Sequence, residues 1–177
     1  MGAPFSLPAR VAKDNRGADT LDPLEGALTT AELIQLISEG GPFSPGSTVW
    51  GDEMIEAVTE LLRHNAHPDY VTVMVSESVS QDYAGVDGFR EAWSDWMSPY
   101  ESFRVVFDEV IPLDDKLVFT VRQLATTRHS SVEVETPSAA VWWLEDGRIR
   151  QAAFYLDRRA GLQAAGLAAS DRPAGGS

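Results

Sequence analysis

The sequence predicts an α+β domain in which a curved antiparallel sheet forms a cone-like half barrel, covered by three N-terminal helices and closed by a short C-terminal helix. Three observations carry this. Four short runs rich in Val, Ile, Phe, Thr and Trp, FRVVFDEVI (103–111), LVFTVRQLATT (117–127), VEVETPSAAVWWL (132–144) and IRQAAFYL (149–156), suit pleated strands rather than helices. Turn signals at Pro112-Leu113-Asp114-Asp115, His129-Ser130-Ser131 and Glu145-Asp146-Gly147 separate them, so the strands meander. The segments upstream carry helical spacing instead, and helices that precede a meander pack on one side of it.

Residues 1–28 are rich in Pro, Gly, Ala and charge with no helical or strand period, and read as a flexible arm. Residues 29–38 open on a capping box, Thr29 with Glu32, followed by Leu33, Ile34, Leu36 and Ile37, which predicts a short helix. Gly40-Gly41-Pro42 stops it, and the loop to Trp50 reads as an irregular flap that, with the arm, forms a lid over the mouth of the cone. Residues 52–65 place Met54, Ile55, Val58, Leu61 and Leu62 on one helical face. After His67-Pro68-Asp69 the β-branched run 70–75 predicts the first long strand. A third helix follows, with Val86, Phe89, Trp93, Trp96 and Met97 at helical spacing, and Pro99 bars its continuation. Past the meander, Asp157 caps a last helix, a contact worth about 1 kcal/mol, and Gly166 with Leu167 ends it. The chain thus reads as one domain, 29–167, with a disordered tail over 168–177.

Composition narrows the partners. A formal net charge of −13 with no basic stripe disfavours nucleic acid and anionic lipid. The chain has no cysteine, which excludes disulfides and thiolate metal sites, and it has no long apolar span or secretory leader, so a cytoplasmic protein is expected. His64, His67 and His129 are scattered without ligand spacing, so no metal is expected. No Gly-rich phosphate loop and no nucleophile elbow occurs, which leaves no nucleotide cofactor and no serine hydrolase.

The chain resembles the SnoaL-like group of the nuclear transport factor 2 superfamily. The likeness is carried by His67-Pro68-Asp69, by Tyr83 to Trp93 opening the third helix, by Pro99-Tyr100-Glu101, by the Val141 to Ile149 hairpin and by the ending Tyr155 to Leu167. The resemblance implies a cone whose concave side holds side chains or a ligand, and a back-to-back homodimer through an apolar convex side. It also implies relatives that include polyketide cyclases, ketosteroid isomerases and limonene-epoxide hydrolases, beside proteins that only bind or assemble. The carboxylates of those enzymes do not carry over. The cyclases' His-Trp-Asp falls on Ala152, Ala153 and Phe154, the isomerases' two Asp positions on Met74 and Ala140, and the hydrolases' Arg-x-Asp on Arg122-Gln123-Leu124.

Candidates for chemistry are therefore few. Arg122, in an otherwise apolar strand, either lies on the solvent face or is buried and paired; inward, its fork of donors would hold a developing oxyanion. Glu109 on the neighbouring strand is either its partner and a general base, or an outer-face carboxylate beside Asp108. Glu133 and Glu135 alternate with Val132 and Val134 and read as solvent carboxylates. Tyr70, Met74, Trp93, Trp96, Ala140, Trp142 and Phe154 are expected to line an aromatic cavity for an apolar, polyketide- or terpenoid-like molecule, or else to fill the cone. The leading expectation is a cofactor-independent cyclase, isomerase or hydratase acting through Arg122 and Glu109. The rival is a binding or assembly module whose pocket holds no titratable group.

Overall fold

The computed structural model describes residues 28–39, 43–77 and 79–167. The predicted arm up to residue 27, the Gly40-Gly41-Pro42 stop and the tail 168–177 lie outside the described residues. Helix α1 (Thr30–Glu39) begins at the predicted capping box. The Thr29 N–H donates to Glu32 Oε2 at 2.8 Å while the Glu32 N–H donates to Thr29 Oγ1 at 3.2 Å, so two backbone donors at the helix start are satisfied reciprocally. Its buried side is Leu33, Ile34 and Ile37.

The loop that follows is more ordered than a flap, because it ends in a strand, β1 (Thr48–Trp50), which leads directly into α2 (Gly51–Asn65). Strand β2 (Ala66–Ser76) starts before the predicted Tyr70, and it turns back into β3 (Val79–Ala84), an element with no apolar period to announce it. Helix α3 (Gly85–Met97) follows, then the meander of β4 (Tyr100–Pro112), β5 (Lys116–Thr127), β6 (Glu133–Glu145) and β7 (Arg148–Tyr155), and α4 (Arg158–Ala164). The β6–β7 turn has Asp146 at φ 51° and Gly147 at φ 72°, the left-handed pair that a two-residue hairpin needs. Glycine is doubly required at 147, since a Cβ there would lie 1.8 Å from the Leu28 carbonyl oxygen. The Gly147 N–H donates to Thr30 Oγ1 at 2.9 Å, which docks the start of α1 on the hairpin.

The seven strands form one curled, unclosed sheet in the order β1-β4-β5-β6-β7-β2-β3. One pairing departs from the antiparallel expectation: β2 and β7 run parallel, Thr72 beside Ala152 and Met74 beside Phe154. The first long strand thus meets the last, a contact between distant parts of the chain that local patterning does not encode. The concave face carries Phe103, Val105 and Phe107 of β4, Leu117, Phe119 and Val121 of β5, and Trp142 and Leu144 of β6, against the buried sides of α1, α2 and α3. Core filling of this kind is the dominant favourable term in the fold.

The convex face is covered in part by α4. Asp157 Oδ1 accepts from the Arg159 N–H at 2.7 Å and the Ala160 N–H at 3.3 Å, the predicted cap. At the other end Gly166 has φ 80° and the Leu167 N–H reaches back to the Leu162 carbonyl at 2.8 Å. Leu162 and Leu167 pack with Val118, Val141 and Ala165, so the apolar part of the convex face has a cover within this chain. Among the described residues no helix is long and apolar enough to cross a membrane.

Tyr70 of β2 is 2% exposed, and its hydroxyl shares a 2.8 Å hydrogen bond with Thr72 Oγ1. Burial pushes its phenol well above the ordinary value of 10.0. A phenol that keeps its proton longer in the fold than in the open chain adds stability that is whole below about pH 10 and declines as pH rises above it. Tyr70→Phe is expected to flatten the alkaline fall of the urea midpoint. Parallel pH curves for the two proteins would show that Tyr70 has no part in it.

Candidate functional site

Between α2, α3 and the concave face lies a cavity of about 30 Å³, room for about two water molecules. Met54 and Val58 come from α2, Phe89 and Trp93 from α3, Phe107 from β4, Phe119, Val121 and Gln123 from β5, Ala140 and Trp142 from β6, and Phe154 from β7. Phe43, from the loop before β1, enters from above with its ring centroid 5.5 Å from Phe107, 6.1 Å from Phe119 and 5.9 Å from Trp142. That loop is tied to β4, with the Gly46 N–H donating to the Phe107 carbonyl at 2.7 Å and the Phe107 N–H to the Ser47 carbonyl at 3.0 Å.

The polar atoms of this cavity are few. Among the described residues Gln123 is its one polar side chain apart from the indoles, and none that lines it is titratable. Trp93 Nε1 and Trp142 Nε1 are buried and have no hydrogen-bond partner among the described residues. An unpaired buried N–H is costly, about 1–3 kcal/mol each, so these donors are a marked feature of an apolar wall. Behind Gln123, the Trp96 Nε1–H donates to Gln123 Oε1 at 3.2 Å.

Of the seven residues predicted to line a cavity, Trp93, Ala140, Trp142 and Phe154 do so. Trp96 stands behind Gln123, while Tyr70 and Met74 are buried in the surrounding core. The expectation that Arg122 and Glu109 face inward is corrected. Residues paired across a sheet share a face: Arg122 pairs with Val106 and Pro137, whereas its neighbours Val121 and Gln123 line the cavity. The guanidinium therefore lies on the convex face, its side chain 38% exposed, with Nε donating to Asp108 Oδ1 at 2.9 Å and Nη1 3.5 Å from Glu135 Oε2. The Asp108 carboxylate holds Arg122 above the usual guanidinium range. Asp108 is the extra residue of a bulge, since Phe107 pairs with Val121 and Glu109 with Thr120. That register puts Glu109 beside Thr120 and away from the cavity. The physical reason is plain: the apolar interior offers Arg122 no counter-ion, and the convex face offers Asp108 and Glu135.

Three of the enzyme carboxylate positions implied by the resemblance, Met74, Ala140 and Phe154, come together in space, whereas the fourth, Leu124, pairs with Arg104 and Glu135. Met74, Phe154, Ala140 and Phe119 are consecutive partners across β2, β7, β6 and β5, and this row is apolar throughout. Gln123 and Phe43 are the contributors that sequence reasoning missed. The parity of β4, with Arg104 and Asp108 set against Phe103, Val105 and Phe107, bears on β5 only through the register, which puts Arg122 opposite Val106 and Gln123 opposite Val105. No comparable signal marks Phe43. Among the described residues no cluster of three or more His, Asp or Glu side chains is set to hold a metal ion.

Comparisons with known proteins agree with this geometry. The model of the SnoaL-like domain family matches residues 48–152. No curated protein is significantly similar to the chain. Among solved structures, one from Jannaschia sp. CCS1 assigned as a SnoaL-like polyketide cyclase is 19% identical over 88% of this chain and 100% of that one, with a TM-score of 0.51. A hypothetical protein with a ketosteroid isomerase-like fold from Catenulispora acidiphila, in complex with trimethylamine, is 14% identical over 67% of this chain and 87% of its own, with a TM-score of 0.48. TerC co-crystallized with polyporic acid is 16% identical over 59% and 82%, also with a TM-score of 0.48. At 19% identity the likeness to the Jannaschia structure is one of fold.

The convex-face charges are assigned a structural role that can be measured. Asp108 also accepts from Arg158 Nη2 at 2.6 Å, which ties the first residue of α4 to β4. Asp108→Asn is expected to lower unfolding free energy by about 1–3 kcal/mol. Combined with Arg158→Met, the loss should be smaller than the sum of the two single losses, as judged by urea unfolding. Strict additivity would break the proposed link.

Proposed function

The chain belongs to the SnoaL-like domain family, and from that premise we propose that its cone binds a small, mostly apolar molecule by shape and by neutral N–H donors. The observation that carries this is the lining itself, which among the described residues consists of aromatic and aliphatic side chains, Gln123 and two indoles without a partner, with no acid or base. General acid–base catalysis needs a proton carrier within hydrogen-bond reach of the substrate. The residues that would have supplied one, Arg122 and Glu109, belong to the other face of the sheet. Burial of apolar ligand surface would supply the affinity, about 25 cal/mol per Å² before the costs of association. A ligand larger than two waters enters by displacing side chains, and among the described lining residues Phe43 is the one contributed from outside the α-helices and the sheet.

A catalytic reading has one observation in its favour. Two covered, unpartnered indole N–H groups belong to residues of the wall, and once a ligand displaces the side chains over them they would meet the requirement of an oxyanion forming in a cyclisation or double-bond migration. In that reading the proton is moved by water or by the substrate's own groups.

The test is titration with cyclohexanone and methylcyclohexane, followed by calorimetry and by indole fluorescence. Both should bind saturably at one site. Phe43→Ala should strengthen each by at least about tenfold, while lowering stability by about 3–5 kcal/mol. Arg122→Met should leave both affinities as they are. If neither the parent protein nor Phe43→Ala binds either compound, the cone is only a packed core and the proposal fails.

A further inference from the structure

The binding reading says that the cone takes a ligand; the Trp96–Gln123 pair says which hydrogen-bonding sense that ligand has. An indole N–H donates and cannot accept. Its partner on Gln123 at 3.2 Å is therefore the carboxamide oxygen, and the flip of the amide is set by chemistry. With Oε1 turned toward Trp96, the amide NH2 is the end left for the cavity that Gln123 lines. Gln123 is 7% exposed, so bulk water does not compete for that donor. The other polar side-chain atoms among the described lining residues are the Trp93 and Trp142 indole N–H groups, both donors, both covered by neighbouring atoms and both without a partner among the described residues. Among the described lining residues the one side-chain acceptor is Gln123 Oε1, which is turned toward Trp96, because every other lining residue is aliphatic, phenyl, thioether or indole.

We infer that Trp96 is a positioning residue that holds the acceptor end of Gln123 away from a ligand, so that the cavity selects molecules that present a bare acceptor, such as a carbonyl oxygen, over molecules that present a hydroxyl. This inference deepens the binding reading and rests on it. An alcohol of the same skeleton can accept from the amide N–H, but its own proton then finds only apolar side chains, while Gln123 Oε1 is engaged by Trp96. A ketone satisfies a donor and leaves nothing unpaired. Trp96 itself does not line the cavity. Its effect on the ligand passes entirely through Gln123, which distinguishes it from an aromatic that merely fills space.

The experiment compares cyclohexanone, cyclohexanol and methylcyclohexane by calorimetry on the full chain. In the parent protein the ketone should bind about tenfold more tightly than the alcohol. Trp96→Phe releases the amide to rotate. The ketone-to-alcohol ratio should then fall at least about threefold through a gain in alcohol affinity, with hydrocarbon affinity changed less than about twofold. A space-filling role for Trp96 would move all three affinities together. Gln123→Leu, which keeps the core apolar, should bring ketone affinity down toward that of the hydrocarbon, and it serves if Trp96→Phe does not fold. A ratio near one in the parent protein, or a ratio unmoved in a folded Trp96→Phe or Gln123→Leu protein, overturns the inference while leaving the binding reading intact. Failure of all three compounds to bind takes down both.

Discussion

A buried charge without a counter-charge costs several kcal/mol, and this constraint sorts the polar residues of the sheet onto its two faces. On β5 the adjacent pair Arg122 and Gln123 has to split, one to each side. The neutral amide goes inward, where a single donor from Trp96 satisfies its oxygen. The guanidinium goes outward to Asp108 and Glu135, and Asp108 in turn receives Arg158. Once this choice is made, the interior is committed to neutral recognition and the exterior to holding α4 in place.

Most of the fold was legible because its signals are local. The capping box at Thr29 and Glu32, the Asp146-Gly147 turn and the Gly166 ending are short-range devices, and each appears where the residues put it. What was not legible depends on partners far away in the chain. β1 is three residues long and is a strand only because β4 lies beside it, with Val49 opposite Val105. β3 is a mostly exposed run beside β2, and the parallel union of β2 with β7 joins segments from opposite ends of the domain. The site was harder still. α4 covers Val118 and Val141, so the apolar stretch of β5 is buried on both faces and loses the alternation that would have told inside from outside. The aromatic residues of the wall were recognisable from their bulk, while Phe43 and Gln123 acquire their roles only in three dimensions.

The apolar row from Met74 through Phe154 and Ala140 to Phe119 explains why family membership and mechanism separate here. A cone of this shape keeps its architecture through helix-to-sheet packing, and that packing is indifferent to whether the row carries acids. With side chains such as Phe154, 5.0 Å from the Trp93 ring centroid, the row becomes part of the wall. Specificity then has to come from contour and from a small number of neutral dipoles, which are sensitive to the geometry of the groups that hold them.

Because the sheet curls without closing, it ends in two free margins, and they are guarded differently. β1 is too brief to template another strand, and Trp50 at its end turns at once into α2. β3 is longer, but Ser80, Gln81 and Asp82 stand exposed along it and discourage a foreign strand from annealing there. Among the described residues, then, an unfinished barrel presents at its two edge strands little that a foreign strand could pair with.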